Sequence, residues 1–430
     1  MNEDRFDVII VGGGLAGSAA ALELARNGVD VLVLERGRSC GSKNMTGGRL
    51  YGHGMEKLIP DFAAKAPIER IVTKERVSLM TEQGAFTMDY DSTKLKDPTC
   101  ASYTVLRAKF DPWLAAQAEE AGAMYVLRTR VDNLIKKDGK VIGVESGGEM
   151  VYADAVILAD GVNSLLAQRA GLKKELGPSQ VAVGVKEVVK LDEQTVSDRF
   201  GLQKGDGASW LFAGYPTDGA VGGGFLYTNR ESVSLGIVAT ISDIEHSQAS
   251  VPEMVERLKN HPTIKPLIEG GARGEYSAHL VPEAGFNMMP QLYGDGVLVA
   301  GDAAGFCINL GYIVRGMDLA IESGRLAAQA ILEARKKNDY SSSSLSRYRA
   351  LLDDSFVMRD LSHYKDAPQL MENHLMFETL PQIADEAMGA MFEVDGSAKA
   401  PLMKEIKGIV SNHGGFKPLL KVAKKARKAL

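Results

Sequence analysis

The chain has 430 residues and a formal net charge of −5 at pH 7, and its 45% hydrophobic and 24% charged residues are typical of a globular protein. This length predicts two or three domains, and the negative net charge argues against nucleic-acid binding. Three cysteines (Cys40, Cys100 and Cys307) are too few for a four-cysteine iron–sulfur site, and the seven histidines lack metal-ligand spacing. We therefore predict no protein-bound metal.

We expect no targeting segment at the start of the chain. Acidic residues stand there and a strand follows at once, so we expect no signal peptide. No stretch reaches eighteen uninterrupted apolar residues, so we expect no helix that spans a membrane. These features predict a cytoplasmic protein with reduced thiols.

The segment from Phe6 to Arg36, "FDVIIVGGGLAGSAAALELARNGVDVLVLER", predicts a strand, a helix and a second strand. Gly12 allows a tight turn, Gly14 lets the backbone approach a pyrophosphate, and Gly17 permits close packing of helix on sheet. Glu35 ends the second strand, where it is suited to accept a hydrogen bond from a ribose hydroxyl. The unit predicts a dinucleotide site; the alternative is a glycine turn in an unrelated α/β fold.

Two further buried strands are expected, from Ala155 to Leu158 and from Val297 to Ala300. They end at Asp160-Gly161 and at Gly301-Asp302. Between them, residues 181–276 alternate and are rich in glycine, valine, threonine and tyrosine, which predicts an inserted antiparallel sheet. The segment "VPEMVERLKNHP" within it predicts a helix.

The two strand ends resemble motifs of a known group of flavoproteins. "VILADGVNS" and "VLVAGDAAGF" are similar to the DG and GD motifs of proteins like glutathione reductase and p-hydroxybenzoate hydroxylase. The resemblance implies FAD as the cofactor, with Asp302 holding a ribityl or ribose hydroxyl and the adjoining glycines lying against the isoalloxazine. Each motif alone is also compatible with a plain strand-to-turn junction.

From Met317 to about Lys337 the sequence predicts a long, mostly buried helix, and further helices are expected to about Met391. Gly311 and Gly316 flank the turn into the long helix. Its N-terminus would point toward the pyrimidine edge of the flavin and stabilise negative charge there. The alternative is ordinary helix capping.

The last thirty residues are strongly basic. From Pro401 to Leu430 there are eight Lys or Arg residues and one Glu, a net charge of about +7. The segment "GGFKPLLKVAKKARKAL" predicts a basic amphipathic helix, which can lie on anionic lipid or dock on an acidic partner. The alternative is a solvated helix that packs on its own domain.

Five segments together resemble the FixC family of flavoproteins: "KNMTGGRLYGH", "ILADGVNS", "GGGFLYTN", "YSAHLVPEAG" and "GDAAGFCINLGYIVRGMDLAI". That family is similar to electron transfer flavoprotein–quinone oxidoreductase and, more distantly, to geranylgeranyl reductases. The resemblance covers nearly the whole chain. It implies an enzyme that takes electrons from an electron transfer flavoprotein and passes them to ubiquinone or menaquinone. Because this chain lacks the four-cysteine domain of the quinone oxidoreductase, the family also implies a separate ferredoxin-like iron–sulfur subunit.

The resemblance implies particular site residues as well. Arg107, beside "FDPWL", would lie by the FAD; the alternative is a surface Arg in a salt bridge. Gly222 and Gly223 would present backbone groups to the quinone head, with Phe225 and Tyr227 nearby. The alternative is a β-bulge or a glycine-rich turn.

The predicted fold is α/β: a Rossmann-type FAD-binding domain of the glutathione reductase or p-hydroxybenzoate hydroxylase type, an inserted antiparallel β-sheet domain, and C-terminal helices. We assign residues 1–75, 100–180 and 281–345 to the FAD-binding domain, 76–99 and 181–280 to the inserted quinone or substrate domain, and 346–430 to a C-terminal helical region with a basic tail. The predicted cofactor contacts are Gly12, Gly14, Leu15, Ala16, Gly17, Glu35, Arg36, Gly47, Arg107, Val131, Asp160, Gly161, Gly301, Asp302, Gly311, Gly316 and Met317.

Two other functions fit the same motifs. One is an FAD enzyme that acts on an organic substrate, either as a prenyl-chain reductase or as an NAD(P)H-dependent hydroxylase. The other is a non-catalytic subunit that binds FAD and organises partners. The electron relay is our first prediction, with peripheral contact of the tail at the inner face of the cytoplasmic membrane as one of its consequences.

Overall fold

A computed structural model describes residues 5–42, 48–245, 247–283 and 285–430 of the chain. Its strands are β1 (Arg5–Val11), β2 (Val31–Glu35), β3 (Arg49–Tyr51), β4 (Ile68–Met80), β5 (Ala85–Asp91), β6 (Ser102–Val105), β7 (Met124–Leu127), β8 (Asn133–Lys137), β9 (Lys140–Ser146), β10 (Glu149–Leu158), β11 (Val181–Lys190), β12 (Asp206–Gly214), β13 (Gly222–Thr228), β14 (Ser232–Thr240), β15 (Ala272–Pro282), β16 (Tyr293–Gly294), β17 (Val297–Val299), β18 (Ile308–Asn309) and β19 (Val314–Arg315).

The helices alternate with these strands in the first half and dominate the last third of the chain. They are α1 (Leu15–Arg26), α2 (Gly52–Leu58), α3 (Phe62–Lys65), α4 (Arg107–Glu120), α5 (Leu165–Arg169), α6 (Glu193–Phe200), α7 (Ile241–Ile244), α8 (Val251–Asn260), α9 (Lys265–Ile268), α10 (Met317–Lys337), α11 (Ser342–Leu345), α12 (Arg347–Asp354), α13 (Phe356–His363), α14 (Ala367–Met371), α15 (Thr379–Phe392), α16 (Leu402–Asn412) and α17 (Phe416–Ala429).

The first sheet has the strand order β16-β17-β10-β1-β2-β7, with β9 beside β10 and β8 beside β9. Its central strands β17, β10, β1, β2 and β7 run parallel. Strands β17, β1 and β2 and the second half of β10 are mostly buried apolar runs, as expected for parallel strands covered by helices on their faces, whereas β7 at the edge is largely exposed. Helices α1, α4 and α10 cover this sheet and share its hydrophobic core. This is the Rossmann-type domain that the sequence predicts.

The second sheet has the order β15-β11-β14-β13-β12-β4-β6-β3, with β5 beside β4. Most neighbours are antiparallel, but β12 runs parallel to β4, from the pair Asp206–Ile71 to the pair Gly214–Met80. The expectation of a purely antiparallel sheet is therefore wrong at this one pair, because β4 reaches β12 from a distant part of the chain and not through a hairpin. Helices α6, α8 and α9 form a second core with this sheet.

Sheet membership differs from the sequence-based division of the chain at three places. Strands β3 and β6 and the first half of β4 belong to the second sheet, although residues 1–75 and 100–180 are assigned above to the FAD-binding domain. Strand β4 lies in the second sheet along its whole length, from Ile68 to Met80.

The C-terminal helices pack on both regions. Helices α12 and α13 pack beside α10, whereas α15 packs on β4 and β5. Helix α17 packs on α14 through a small apolar cluster that contains Leu370, Met371 and Ala429. Across the residues that the structure describes, no helix combines the length and the apolar character needed to cross a membrane.

Candidate functional site

The functional motifs meet at one edge of the first sheet. The strand register places Val11 opposite both Leu34 and Leu158, and Leu158 opposite Val299. The segments that follow these four residues carry the predicted fingerprint, Glu35, the DG motif and the GD motif. Because parallel strands end together, the three motifs form one continuous surface at the carboxyl edge of the sheet.

The three fingerprint glycines have different local surroundings. A Cβ at Gly12, which has a φ of +104°, would lie 2.3 Å from the carbonyl oxygen of Ala159. A Cβ at Gly17 would lie 1.9 Å from the carbonyl oxygen of Gly12. A Cβ at Gly14 would meet no atom within 4 Å. Gly12 and Gly17 are thus needed for the turn itself, whereas Gly14 opens a space beside the N-terminus of α1, whose free N–H groups suit a phosphate.

Glu35 is held against the fingerprint turn. Its carboxylate accepts hydrogen bonds from the backbone N–H of Gly13 at 2.9 Å and from that of Gly37 at 2.5 Å. A carboxylate has further acceptor sites, so these two bonds leave room for a ligand hydroxyl. The assignment of Glu35 to a ribose stays a prediction.

Two cavities form an elongated groove along the edge of the sheet. The smaller has a volume of about 310 Å³ and the larger about 500 Å³, and both are lined by Gly14, Ala159 and Gly161. The two cavities thus share a wall at the N-terminus of α1, an arrangement that suits an extended ligand crossing this helix end.

The groove brings most of the predicted residues together. The smaller cavity is lined by Gly12, Gly14, Glu35, Arg36, Val131, Asp160 and Gly161. The larger cavity is lined by Gly14, Leu15, Ala16, Arg107, Gly161, Asp302, Gly311, Gly316, Met317, Gly222, Gly223, Phe225 and Tyr227. Gly17 and Gly301 line neither cavity. Gly17 is close to the backbone of Gly12 instead, and Gly301 is close to the side chain of Ala16. Gly47 lies outside the described residues.

Arg107 is buried in an ion pair within its own helix. Its guanidinium donates two hydrogen bonds to the Asp111 carboxylate, at 2.6 and 2.7 Å. Burial would lower the pKa of Arg107, but the charge of Asp111 outweighs burial and holds that pKa above its ordinary value. Asp302 lies close enough to add to this effect. The alternative of a surface salt bridge is therefore wrong, since both side chains of the pair are almost completely buried.

The N-terminus of α10 carries a charge that the sequence analysis does not consider. Asp318 in its first turn is buried and pairs with Arg315 at 2.6 Å and with His53 at 3.3 Å. Burial opposes ionisation of Asp318, but His53 and Arg315 together hold its pKa below the ordinary value. This end of α10 faces the cavity through Gly316 and Met317. The field there therefore comes from a local network of charged side chains as well as from the helix dipole.

The second sheet forms the opposite wall of the larger cavity. Phe225 and Tyr227 stack there with ring centroids 5.3 Å apart. A Cβ at Gly222, whose φ is +151°, would lie 2.1 Å from the carbonyl oxygen of Val238, and a Cβ at Gly223 would lie 2.6 Å from that of Phe212. Strand β13 keeps a regular register with β14 through both glycines, so the proposed β-bulge is absent from this described pair. The glycines are required by the close approach of neighbouring strands, while their backbone lines the cavity.

Comparisons with known proteins agree with this geometry. An FAD-binding domain family matches residues 5–308, and the C-terminal domain of the ETF-QO/FixC family matches residues 367–430. The chain is 52% identical to the probable electron transfer flavoprotein-quinone oxidoreductase YdiS of Escherichia coli (strain K12), over 95% of both chains. It is 54% identical to protein FixC of Salmonella typhi, over 94% of this chain and 95% of the relative.

The chain belongs to the ETF-QO/FixC family. It is an FAD-dependent oxidoreductase of that family, as the sequence predicts. Its fold is also that of a geranylgeranyl bacteriochlorophyll reductase-like protein from Thermoplasma acidophilum, with a TM-score of 0.72 over 97% of this chain and 99% of that protein, at 24% identity.

The groove of this ETF-QO/FixC family member fits FAD. A Cβ would meet no neighbour within 4 Å at Gly14, Gly161 or Gly316, so the backbone leaves open space along the whole path. Bound there, FAD supplies the redox chemistry, and the protein supplies position and electrostatics. Residues near Gly14 would hold its phosphates, and residues near Asp302 and Met317 would hold its flavin half.

Lys173, which the sequence motifs do not mark, lines neither cavity but supports two loops of the site. Its buried ammonium donates hydrogen bonds to the carbonyl oxygens of Val162 at 2.6 Å and Ala303 at 3.0 Å, and so ties the DG loop to the GD loop. Burial lowers its pKa to about 8, although Asp160 and Asp302 oppose that change. Burial also raises the pKa of Asp302, which Arg107 and Lys173 partly offset. Lys173 stands in an ordinary polar segment, so no sequence signal marks it.

Proposed function

We propose that the chain passes electrons from a protein donor through FAD to a quinone. The observation that carries the proposal is the continuity of the larger cavity. That cavity is lined both by Asp302 and Met317 and by apolar side chains of the second sheet such as Leu211 and Val238. A mostly apolar cavity with a few polar groups suits a flat ring that bears carbonyl oxygens and an apolar tail. The name of the relative YdiS, a probable electron transfer flavoprotein-quinone oxidoreductase, supports the same reaction.

Within this proposal, Gly222 and Gly223 face the quinone head. Their backbone lines the cavity. Phe225 and Tyr227 wall the same region with stacked rings. Burial raises the pKa of Tyr227 above its ordinary value, so its hydroxyl keeps its proton and can donate a hydrogen bond to a carbonyl oxygen.

The C-terminal helices would connect the cavity to a membrane surface. On α17, Val422 and Ala426 line the cavity, and Phe416 and Leu420 are exposed. The inner face of this helix packs on its own chain, as one alternative for the tail expects, and its Lys and Arg residues remain accessible. An exposed apolar and basic face next to a quinone cavity suits peripheral contact with anionic lipid.

Electron entry would require a partner protein. Cys40 is buried against the fingerprint, Cys100 is exposed, and Cys307 lines the cavity, so the three thiols stand at separate places. An iron–sulfur cluster would therefore belong to a separate ferredoxin-like subunit, beside electron transfer flavoprotein-like donors. The name of YdiS supports the flavoprotein donor.

The test is the reoxidation of the photoreduced protein by a short-chain ubiquinone analogue without oxygen. We expect fast reoxidation in the wild type. Val77 lines the cavity, so Val77→Trp should slow the reaction about fivefold or more, because an oversized side chain in the cavity wall costs ~1–3 kcal/mol of ligand binding. The matched control is Val126→Trp on edge strand β7, where the side chain is 38% exposed and the rate should not change.

A different result would point to another function. If quinone does not reoxidise the wild type while NADPH rapidly reduces it, the relay is wrong and an enzyme that acts on an organic substrate replaces it. The membrane contact is tested separately by sedimentation with anionic vesicles. Leu420→Glu should weaken the sedimentation, and Met150→Glu, at a 58% exposed position of β10, should not. Equal sedimentation of both variants would exclude the tail as the lipid contact.

A further inference from the structure

Glu283 is a carboxylic acid in the wall of the larger cavity to which the proposed relay gives no role. It follows directly after β15, and its backbone N–H donates a 2.9 Å hydrogen bond to the carbonyl oxygen of Gln180. The residue lines the same cavity as Asp302 and Gly316. It therefore stands in the compartment in which the flavin half of FAD would react.

The carboxyl of Glu283 has one polar partner in the described part of the chain, the side chain of Asn309. The amide oxygen of Asn309 accepts a 3.0 Å hydrogen bond from the N–H of Gly311, which leaves the amide nitrogen to donate to Glu283. Burial raises the pKa of Glu283 to about 7, and the bond from Asn309 offsets only part of that rise. The acid is thus balanced between its two protonation states near neutral pH.

The cations around this cavity are already paired with other acids. Arg107 pairs with Asp111, Arg315 with Asp318 and Asp360, and Arg49 with Glu75. Lys173 donates to two carbonyl oxygens and compensates Asp302. In the residues that the structure describes, Glu283 forms no ion pair. The other titratable groups that line the cavity are Asp302, Cys307, Tyr227 and Tyr312.

Cys307 and Tyr227 do not exchange protons readily near neutral pH. Burial raises the pKa of both groups above their ordinary values, so both keep their protons. Asp302 is compensated by two cations. Within the described residues Glu283 thus differs from Asp302 in having no compensating cation, so its charge can respond to a change of charge in the cavity.

We propose that Glu283 is the proton-exchange residue of the cavity. The carboxylate takes up one proton from solvent when two electrons enter the flavin, because added negative charge nearby stabilises the neutral acid. It returns that proton when the two electrons leave to an acceptor whose oxygens must be protonated. Uptake rests only on FAD binding, whereas the return to a quinone oxygen rests on the proposed function.

The direct test is proton uptake during photoreduction of the FAD-loaded protein, measured with an indicator dye in weak buffer. Around pH 7 the wild type should take up more protons per two electrons than Glu283→Gln, and the difference should vanish well above and well below that pH. The control is Glu149→Gln, at an exposed position of β10, which should match the wild type. Equal uptake by wild type and Glu283→Gln at every pH would overturn the proposal.

A second measurement needs no variant. The infrared difference spectrum of wild-type protein, reduced minus oxidised near pH 7, should contain a carboxylic C=O band that shifts in D₂O. The absence of this band would overturn the proposal even if Glu283→Gln failed to fold.

The return step is tested by reoxidation of the reduced protein. Glu283→Gln should be reoxidised slowly by a quinone analogue and at the normal rate by ferricenium, which takes up no proton. If quinone fails to oxidise the wild type, the proposed function is wrong while proton uptake is still decided by the dye.

Discussion

The buried pair of Arg107 and Asp111 offers a sharp test of the electrostatics of the cofactor groove. Its side chains are 6% and 0% exposed, and they are joined by two charge-assisted hydrogen bonds. Arg349 and Asp353 form a pair with the same residue types and the same spacing, but their side chains are 42% and 50% exposed. The chain therefore contains both a buried ion pair and its solvent-exposed control.

Arg107→Met should lower the free energy of unfolding by ~3–5 kcal/mol, because it leaves the carboxylate of Asp111 buried without a partner. Arg349→Met should cost at most ~1 kcal/mol, because water screens the exposed pair. The double variant Arg107→Met/Asp111→Asn should regain about 1–3 kcal/mol relative to Arg107→Met, since no unpaired carboxylate remains at position 111.

The assay is urea denaturation in saturating FAD, followed by circular dichroism, with the FAD dissociation constant measured separately. Equal losses of unfolding free energy in Arg107→Met and Arg349→Met would refute the burial argument. The same holds if the loss in the double variant equals the sum of the losses in Arg107→Met and Asp111→Asn. The same set separates the two roles of Arg107. If Arg107 also contacts FAD, the double variant regains stability but still binds FAD weakly.

Two further predictions concern backbone and charge. Lys173 has a folded-state pKa of about 8, below its ordinary 10.5, so the unfolded chain binds more protons than the folded chain from pH 8 to 10.5. The free energy of unfolding therefore rises with pH across this window, by about 3 kcal/mol from this group. Lys173→Met should lack that rise in urea denaturation, and a constant difference from wild type across the window would contradict the assignment. Gly222→Ala should destabilise the fold by ~1–3 kcal/mol, since its Cβ would lie 2.1 Å from a backbone oxygen. The control Gly408→Ala lies inside α16 and has no neighbour within 4 Å, so it should stabilise the fold by ~0.5–1 kcal/mol. Equal effects of the two variants in thermal unfolding would refute the close approach at Gly222.

The FAD half of the site could be predicted because its signals are local. Each motif begins where an apolar strand ends, and the strand register then aligns the motifs without further information. Helix α10 begins and ends where the sequence predicts, at Met317 and Lys337, because its buried apolar positions keep a helical period along the whole segment.

The remaining features depend on contacts between distant segments. The parallel pairing of β12 with β4 joins residues more than a hundred positions apart, and no hairpin turn marks it. Lys173 and Glu283 look like ordinary surface charges in the sequence. Their roles appear only when the fold places Lys173 near Asp302 and Glu283 beside Asn309.

The triple glycine at the start of β13 shows how two requirements can act on the same residues. Gly222 and Gly223 leave no room for a Cβ because neighbouring strands approach closely, which alone would explain their identity. The same pair lines the cavity that Met317 and Asp302 also line. A side chain at either position would therefore disturb the sheet before it reached a ligand, so loss of activity in such a variant would not by itself identify a quinone contact. A substitution such as Val77→Trp, which fills the cavity from β4 and leaves the glycines in place, separates the two requirements.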